Sequence, residues 1–285
     1  MNLDSLDPDG VEAALLDCGA LSVTFTDAGE APVLEPAPGG MPLWPTVKVT
    51  ALFDETADLA ALAGRLCATL DVSVLPKHQV ENLAERAWER EWLKDFGPMR
   101  FGRRLWVVPG QCHDLPDDAI VVRLDPGLAF GSGAHQTTAL CLRWLESESL
   151  SGKTVLDFGC GSGILGIAAL RLGAGRVAAI DTDLQAVTAT GQNAQRNSVE
   201  NRLHACTVDS LPAAQFDLVV ANILASTLID NADVICDAAG VGARIALSGV
   251  LAHQAAAVQG AFRDRVTFEA PVMQDDWALL SGTRT

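Results

Sequence analysis

Cationic residues are scarce in this chain. Its 285 residues include 20 Lys and Arg against 36 Asp and Glu, a formal net charge of −16, and the pI is near 4.5. Binding to nucleic acid depends on cationic contacts to phosphate, so this balance argues against a direct nucleic-acid partner. A basic protein partner, in contrast, would meet the chain faster because of electrostatic attraction.

The chain also lacks the patterns of disulfide frameworks, zinc sites and membrane spans. Its seven cysteines include no C-x-x-C pair, so we expect no metal site. Cys160, Cys206 and Cys236 have apolar or glycine-rich neighbours, which is typical of small buried hydrophobes. The N-terminus has no secretory signal pattern, and no apolar run reaches the ~18 residues of a membrane span. These absences predict a cytoplasmic protein without a membrane partner.

The most informative segment that is present is a glycine loop between a strand and a helix. Thr154–Phe158 has the pattern of a short buried strand, Gly159, Gly161 and Gly163 follow, and Ile164–Leu172 has helical apolar spacing. Open α/β sheets bind nucleotide-like ligands at such a junction, where a side chain would block the approach of the ligand. We therefore expect Gly159 and Gly161 to border a cofactor.

An acidic residue follows the next predicted strand. Val177–Ile180 ends at Asp181, twenty-two positions after Gly159. A carboxylate at that position and spacing is suited to accept hydrogen bonds from ribose hydroxyls. The pattern therefore predicts a cofactor that carries a ribose.

Two such cofactors fit the loop. Gly161–Gly166 matches the G-x-G-x-x-G pattern of NAD-binding proteins, but its first glycine comes three residues after Phe158 instead of directly after the strand. Asp157 would also lie near a pyrophosphate, at a helix N-terminus that should receive negative charge. S-adenosyl-L-methionine carries a sulfonium and an ammonium, which an acidic loop favours. A turn that only joins strand to helix is the third possibility, which Asp181 in register makes weaker.

A polar residue ends another predicted strand. Phe216–Ala221 is apolar and is followed by Asn222, whose side chain offers one acceptor and one donor group. If this strand neighbours the glycine-loop strand, Asn222 faces the same crevice. The alternative is that Asn222 caps a helix over residues 224–239. The sequence alone does not distinguish the two.

Together these motifs resemble the bacterial ribosomal protein L-eleven (L11) methyltransferases, the PrmA family. The most specific part is the block Asp125–Thr138, with the glycine loop, Asp181 and Ala221–Leu224 as further matches, and Phe96–Pro109 is also similar. The resemblance extends from about residue 91 to the C-terminus. Members usually have Thr where Ser132 and Ala134 stand and Pro where Gln136 stands.

The resemblance implies a methyltransferase that uses S-adenosyl-L-methionine and acts on L11 at lysine side-chain amines and an N-terminal amine. It implies a cofactor-binding role for the block that contains His135, Thr137 and Thr138. Asp157, Gly159, Gly161, Asp181 and Asn222 complete the expected cofactor site. Asn222 is also the expected catalytic residue, since its carbonyl oxygen can accept an N–H of the amine and direct the nitrogen lone pair at the methyl group.

No side chain in these motifs is an obvious general base. His135 is a candidate, although a local hydrogen-bonding role in its loop is the more ordinary one. Two functions of other classes stay open, an NAD-dependent dehydrogenase and a cofactor-binding module without catalysis.

The apolar periodicity predicts an α/β fold with a smaller α+β domain before it. Residues 1–79 have two helix patterns, near 11–18 and 59–70, and strand patterns at 21–25, 47–53 and 72–75, which suggest a ferredoxin-like sandwich. This part holds twelve Asp and Glu against three Lys and Arg, a net of −9. That charge suits recognition of a lysine-rich substrate, although ordinary solubility charge is the alternative.

Residues 80–115 are predicted to form a linker helix, over 80–94, and a connecting segment. Residues 116–285 are then the methyltransferase domain. Seven strands alternating mostly with helices are expected there, at the positions that follow: 154–158, 177–180, 204–208, 218–221, 244–247, 266–268 and 277–280. Because no good helix separates the last two, we expect them to form an antiparallel hairpin. This order matches the seven-stranded, Rossmann-like sheet of class I methyltransferases.

Overall fold

The structure is a computed structural model that describes residues 1–3, 6–27, 46–81, 97–110, 114–124, 135–211 and 214–285. The chain divides into two compact units, Met1–Arg86 and Ala87–Thr285. None of the described helices is long and apolar enough to cross a membrane.

Unit 1 contains two helices and a small antiparallel sheet. Its elements are α1 (Pro8–Asp17), β1 (Ser22–Asp27), β2 (Val47–Leu52) and α2 (Leu59–Thr69). Asp7 and Asp58 cap the two helices by accepting backbone N–H bonds from the first turn, as good N-cap residues do. The helices and strands enclose one apolar core around Val11, Leu15 and Val49.

The N-terminal residues extend this sheet on the other side of β2. Asn2 forms an antiparallel bridge with Lys48, and the Met1 carbonyl accepts a bond of 2.8 Å from the Val49 N–H. The N-terminal segment, β2 and β1 are therefore three neighbours in that order.

The strand predicted at residues 72–75 is absent, and that prediction was wrong. Asp71 adopts a left-handed φ of 54°, and the Val72 N–H closes the end of α2 by donating to the Cys67 carbonyl. This N–H is then not available to a sheet, and Val74 is 77% exposed. Most of the predicted linker helix lies outside the described residues, and residues 80–81 have no regular structure.

Unit 2 alternates strands and helices along most of its length. Its elements are, in chain order, β3 (Met99–Phe101), β4 (Leu105–Pro109), β5 (Ile120–Leu124), α3 (Gln136–Ser147), β6 (Thr154–Phe158), α4 (Ile164–Arg171), β7 (Arg176–Asp181), α5 (Leu184–Arg196), β8 (Leu203–Thr207), β9 (Phe216–Asn222), α6 (Ala225–Asp230), α7 (Ala232–Ala238), β10 (Ala239–Leu251), α8 (Ala255–Phe262), β11 (Val266–Phe268), β12 (Val272–Gln274) and β13 (Trp277–Arg284).

One mixed sheet organises this unit, in the order β11–β13–β10–β9–β6–β7–β8. The strands from β10 to β8 are parallel, whereas β13 runs antiparallel to β10 and to β11. The expected antiparallel pairing of the last two predicted strands is confirmed. The chain order reverses between β6 and β9, so their carboxyl ends form the crevice in which open α/β sheets bind ligands.

The sheet has eight strands where the sequence pattern predicted seven. All seven predicted segments are strands, and the additional one is β12, which pairs only with β13. It follows β11 after a short connection, and its side chains are exposed or half-buried, so it has no alternation of buried and exposed positions by which to recognise it. A tight turn at Asp275 and Asp276 joins β12 to β13.

Helices cover both faces of the sheet. One apolar core contains α3, α4 and Ala194 of α5, and the other contains α6, α7 and α8. The first core also takes Phe101, Leu105 and Val107 from a separate three-stranded sheet in which β4 runs parallel to β5. The predicted connecting segment therefore contains strands that pack in unit 2, and a boundary at residue 115 separates two strands of one sheet.

Candidate active site

The glycine loop follows β6 and turns sharply beneath the end of β7. Gly159, Gly161 and Gly163 all have positive φ angles, of 78°, 52° and 78°, which residues with a Cβ adopt at a cost. The N–H groups of Gly159 and Cys160 both donate to the Ile180 carbonyl, at 2.8 and 2.9 Å. A Cβ at Gly159 would lie 2.3 Å from the Ile223 side chain, so the loop also approaches the end of β9 closely.

Two polar residues of α5 hold the carbonyl groups of this loop. The Thr190 hydroxyl donates to Gly161 O at 3.0 Å, and Asn193 Nδ2 donates to Ser162 O at 2.9 Å. Both side chains are buried. The motif analysis missed them, although polar residues three apart on the buried face of an amphipathic helix are a detectable signal.

Asp181 ends β7, as predicted, and its carboxylate is held in place at both oxygens. Oδ2 accepts a bond of 2.9 Å from Gly161 N, and Oδ1 accepts one of 3.0 Å from Asp183 N. A carboxylate has about four acceptor positions, so each oxygen can accept one further donor. The side chain is half-buried and can therefore both fix the loop and bind a ligand.

Asp157 lies inside the protein beneath the loop and is fully buried. Its Oδ2 accepts a bond of 2.8 Å from Gly166 N, whereas Oδ1 has no hydrogen-bond partner among the described residues. Burial raises the pKa of this carboxyl to about 7; the bond from Gly166 opposes the rise and the Asp181 charge adds to it. A cationic group nearby would stabilise the ionised form.

Asn222 ends β9 and contacts Thr138 of α3. Its Nδ2 donates to Thr138 Oγ1 at 3.2 Å. The helix-cap alternative is wrong, because α6 begins only at Ala225 with Leu224 at the capping position. The predicted helix over 224–239 is also divided at Asn231 into α6 and α7. With its nitrogen engaged by Thr138, the Asn222 amide is oriented, and no other described residue bonds to its oxygen.

His135 caps α3, so its local hydrogen-bonding role is confirmed. Its Nδ1 accepts from Thr137 N and lies 2.7 Å from Thr137 Oγ1. The His135 ring also packs edge-on against Trp277, with centroids 4.9 Å apart. Residues 125–134 of the predicted binding block lie outside the described residues.

The chemistry of the described site residues is acidic and polar. The side chains that bond to the loop or to the first turn of α4 are those of Asp157, Asp181, Thr190 and Asn193, and none of these four is basic. Cys160 is buried, and burial raises the pKa of its thiol, so it behaves as a small apolar residue. Within the described part of the chain, no group of three or more His, Cys, Asp or Glu could hold a metal ion.

The strand order, the glycine loop at the point where it reverses and the acid at the end of β7 define a class I methyltransferase-like α/β fold. A solved structure agrees, that of ribosomal protein L11 methylase from Lactobacillus delbrueckii subsp. bulgaricus. It is 32% identical, with a TM-score of 0.61, and the match covers 67% of this chain and 100% of that one.

The particular family follows from the sequence comparisons. The family model "Ribosomal protein L11 methyltransferase (PrmA)" matches residues 1–285. The L11 methyltransferase of Halorhodospira halophila is 50% identical over 280 residues, 98% of this chain and 95% of that protein. That of Methylococcus capsulatus is 47% identical over 277 residues, 97% of this chain and 94% of that protein. This chain belongs to the PrmA family.

Proposed function

We propose that this protein transfers methyl groups from S-adenosyl-L-methionine to lysine side-chain and N-terminal amines of ribosomal protein L11. One observation carries the proposal. The Asn222 amide, oriented by Thr138, stands at the end of β9, and Asp181 and the glycine loop adjoin the end of β7. An amine acceptor site and a cofactor site thus lie at the same edge of the sheet.

The residues present fit this cofactor. Asp181 has acceptor capacity on both oxygens for the two ribose hydroxyls. Gly159 and Gly161 present no side chain to a ligand, and the Cys160 and Ser162 side chains between and after them are buried. Asp157 contributes negative charge beneath the loop, with one oxygen unpaired among the described residues. When bound, the cofactor supplies a methyl group already activated by a positively charged sulfur.

The main task of the protein is then to position the amine. Holding the reacting groups in line can supply ~7–11 kcal/mol of the barrier. Asn222 Oδ1 accepts an N–H bond from the substrate amine, which aims the nitrogen lone pair. An α-amine with a pKa of about 8 is partly neutral at physiological pH, whereas neutralising a lysine of pKa about 10.4 costs ~4 kcal/mol. We assign this deprotonation to solvent, because Nδ1 of His135 is engaged in capping α3.

A dehydrogenase that binds NAD fits the site less well. The Gly166 N–H, in the first turn of α4, is occupied by the Asp157 carboxylate. A pyrophosphate would therefore meet a negative charge where the dinucleotide pattern offers free N–H donors. A module without catalysis leaves the Thr138–Asn222 contact without a role.

Unit 1 is proposed to recognise the substrate. Its described segments, a bridged N-terminal stretch, a helix, two strands and a helix, follow the first five elements of the ferredoxin-like βαββαβ order without its closing strand. Its acidic surplus suits a lysine-rich partner. We keep residues 1–79 as the recognition domain, and extend the methyltransferase domain from 116–285 back to include β3 and β4.

The net charge argues against direct contact with nucleic acid, and the proposed substrate places the enzyme in the cytoplasm.

The decisive experiment is mass spectrometry of purified L11 after incubation with the enzyme and S-adenosyl-L-methionine. We expect mass increments of whole methyl groups. Asn222→Ala should lower the turnover number far more than cofactor affinity, because the lost contact acts on the amine in the transition state. Asn231→Ala, which removes a half-buried Asn whose Nδ2 donates to Thr227 O, is the matched control. Unmodified L11 together with tight binding of labelled NAD would support the dehydrogenase instead.

A further inference from the structure

Four consecutive residues at the start of α3 are each held by a different residue of the large sheet. His135 packs edge-on against Trp277. Gln136 Nε2 donates to Asp275 Oδ2 at 2.5 Å. Thr138 accepts from Asn222. The first turn of this helix is therefore attached to the sheet residue by residue.

The remaining contact of this turn passes through a buried serine. Ser248 Oγ lies within bonding distance of two carbonyls, Thr137 O at 3.4 Å and Ala278 O at 3.3 Å. Ser248 is fully buried and is paired with Asn222 in the parallel register of β9 and β10. Its single hydroxyl hydrogen can donate to either carbonyl but not fully to both, so Ser248 lies between α3 and β13, in the strand directly beside Asn222.

The turn of the hairpin formed by β12 and β13 has an uncommon backbone conformation. Its turn residue Asp275 has a φ of 49°, a conformation that non-glycine residues adopt infrequently. Arg143, two turns further along α3, donates to Gln274 Oε1 at 2.6 Å. The hairpin thus contacts α3 both at its first turn and further along.

We propose that this hairpin and Ser248 position the first turn of α3 so that Thr138 can orient the Asn222 amide. His135, Trp277 and Ser248 are then positioning residues for methyl transfer. The inference rests on the proposed function, in which Asn222 aims the substrate amine. It has a physical basis, since a displacement of about 1 Å at a reacting group can cost ~100-fold in rate.

The proposal is tested by the turnover number of variants in the full-length enzyme, with saturating cofactor and L11. Trp277→Ala should lower kcat by ~5–30-fold, with the Kd for S-adenosyl-L-methionine and the KM for L11 changed less than about twofold. Trp277→Phe retains an aromatic ring for His135 and should recover most of kcat. Ser248→Ala should lower kcat in the same way, because it removes the hydroxyl that contacts the Thr137 carbonyl.

His135→Asn tests the contact between the His135 and Trp277 rings by removing the His135 ring. Asn still caps the helix but removes the ring that packs on Trp277. Its effect on kcat should not add to that of Trp277→Ala, since both changes remove the same contact. If Trp277→Ala does not fold, His135→Asn and Gln136→Ala test the same attachment at less buried positions.

Arg265→Ala is the control variant. It removes contacts to Asp233 and Asp237, away from α3, and should leave kcat unchanged. Variants that melt earlier but keep full kcat in the folded fraction would overturn the inference and leave the hairpin as ordinary packing.

Asn222→Ala separates the inference from the function on which it rests. Loss of kcat in Asn222→Ala with full kcat in Trp277→Ala and Ser248→Ala refutes only the positioning role. Full kcat in Asn222→Ala refutes the proposed role of the amide itself.

Discussion

At the scale of single residues, the two carboxylates of the site differ in environment and therefore in task. Asp181 is half-buried, and each of its oxygens accepts one hydrogen bond. Because each oxygen can accept a second bond, the side chain stays available to a ligand. Asp157 is fully buried and has one unpaired oxygen among the described residues. One carboxylate suits direct binding and the other suits an electrostatic role.

Replacing Asp181 tests the ribose assignment. Asp181→Ala should weaken the binding of S-adenosyl-L-methionine by ~1–3 kcal/mol for each charged hydrogen bond lost, as measured by titration calorimetry. Asp181→Asn keeps one carbonyl acceptor and should lose less. Wild-type affinity in Asp181→Ala would remove this residue from the cofactor site.

The pKa of Asp157 predicts a dependence of stability on pH. Because burial raises the folded-state pKa from 3.8 to about 7, the unfolded chain releases this proton at a lower pH than the folded protein does. The free energy of unfolding should therefore fall as pH rises from about 4 to about 7, by at most ~1.4 kcal/mol per unit of pKa difference.

Asp157→Asn cannot ionise and should lack this contribution. Denaturant unfolding of both proteins across that pH range gives the comparison. The free energy of unfolding of the wild-type protein, relative to that of the variant, should be highest near pH 4 and should decrease towards pH 7. Parallel curves for the two proteins would show that Asp157 ionises normally in the folded state.

At the scale of elements, α5 has two faces with different tasks. Its buried face bonds to the glycine loop through Thr190 and Asn193, while its exposed face carries Thr188, whose hydroxyl donates to Leu184 O within the helix. The helix is therefore both a packing element and the support of the loop.

This difference predicts that a Thr→Val substitution has an effect on the buried face of α5 and none on its exposed face. Thr190→Val changes the shape of the side chain little but removes the hydroxyl that donates to Gly161 O. The Gly161 carbonyl then lacks this donor, which should cost ~1–3 kcal/mol of stability. Thr190→Val should also weaken binding of S-adenosyl-L-methionine. Thr188→Val should do neither, since its bond is solvent-exposed. Calorimetry and thermal unfolding measure both effects, and equal behaviour of the two variants would contradict the support role of α5.

At the scale of the whole molecule, the cofactor residues and the densest acidic surplus lie in different units. Every described residue of the candidate site lies in the unit Ala87–Thr285, which encloses two apolar cores of its own. Residues 1–79 carry a net charge of −9. If unit 1 recognises the substrate, as we propose, binding of the cofactor and recognition of the substrate should be separable.

A chain that starts at Val80 should therefore fold and bind S-adenosyl-L-methionine but lose methylation of intact L11. Raising the salt concentration should slow association of the full-length enzyme with L11, because exposed charges more than ~10 Å apart are screened at 0.1 M. Calorimetry measures the cofactor, and methyl incorporation into L11 measures recognition. Methylation at the full-length rate by the shortened chain would place recognition in the methyltransferase unit.

The sequence by itself determined the parts of this protein that depend on local pattern. The strand that ends at Phe158, the glycines with positive φ and the acid at the end of the next strand were all predicted, because each depends on neighbours within a few positions. The same holds for the buried strand that ends at Asn222 and for the other predicted strands of the sheet. Family resemblance supplied the expected reaction but no contact between side chains.

Only the tertiary structure decided which distant side chains meet. Asn222 and Thr138 are 84 positions apart, and their contact requires the sheet order and the placement of α3 together. Ser248 and the short strand β12 leave no recognisable local signal as site-forming groups. The strand expected at 72–75 fails because the end of α2 takes its first N–H. Hydrogen bonds and packing between remote segments decide such cases, since local propensities are weak beside them.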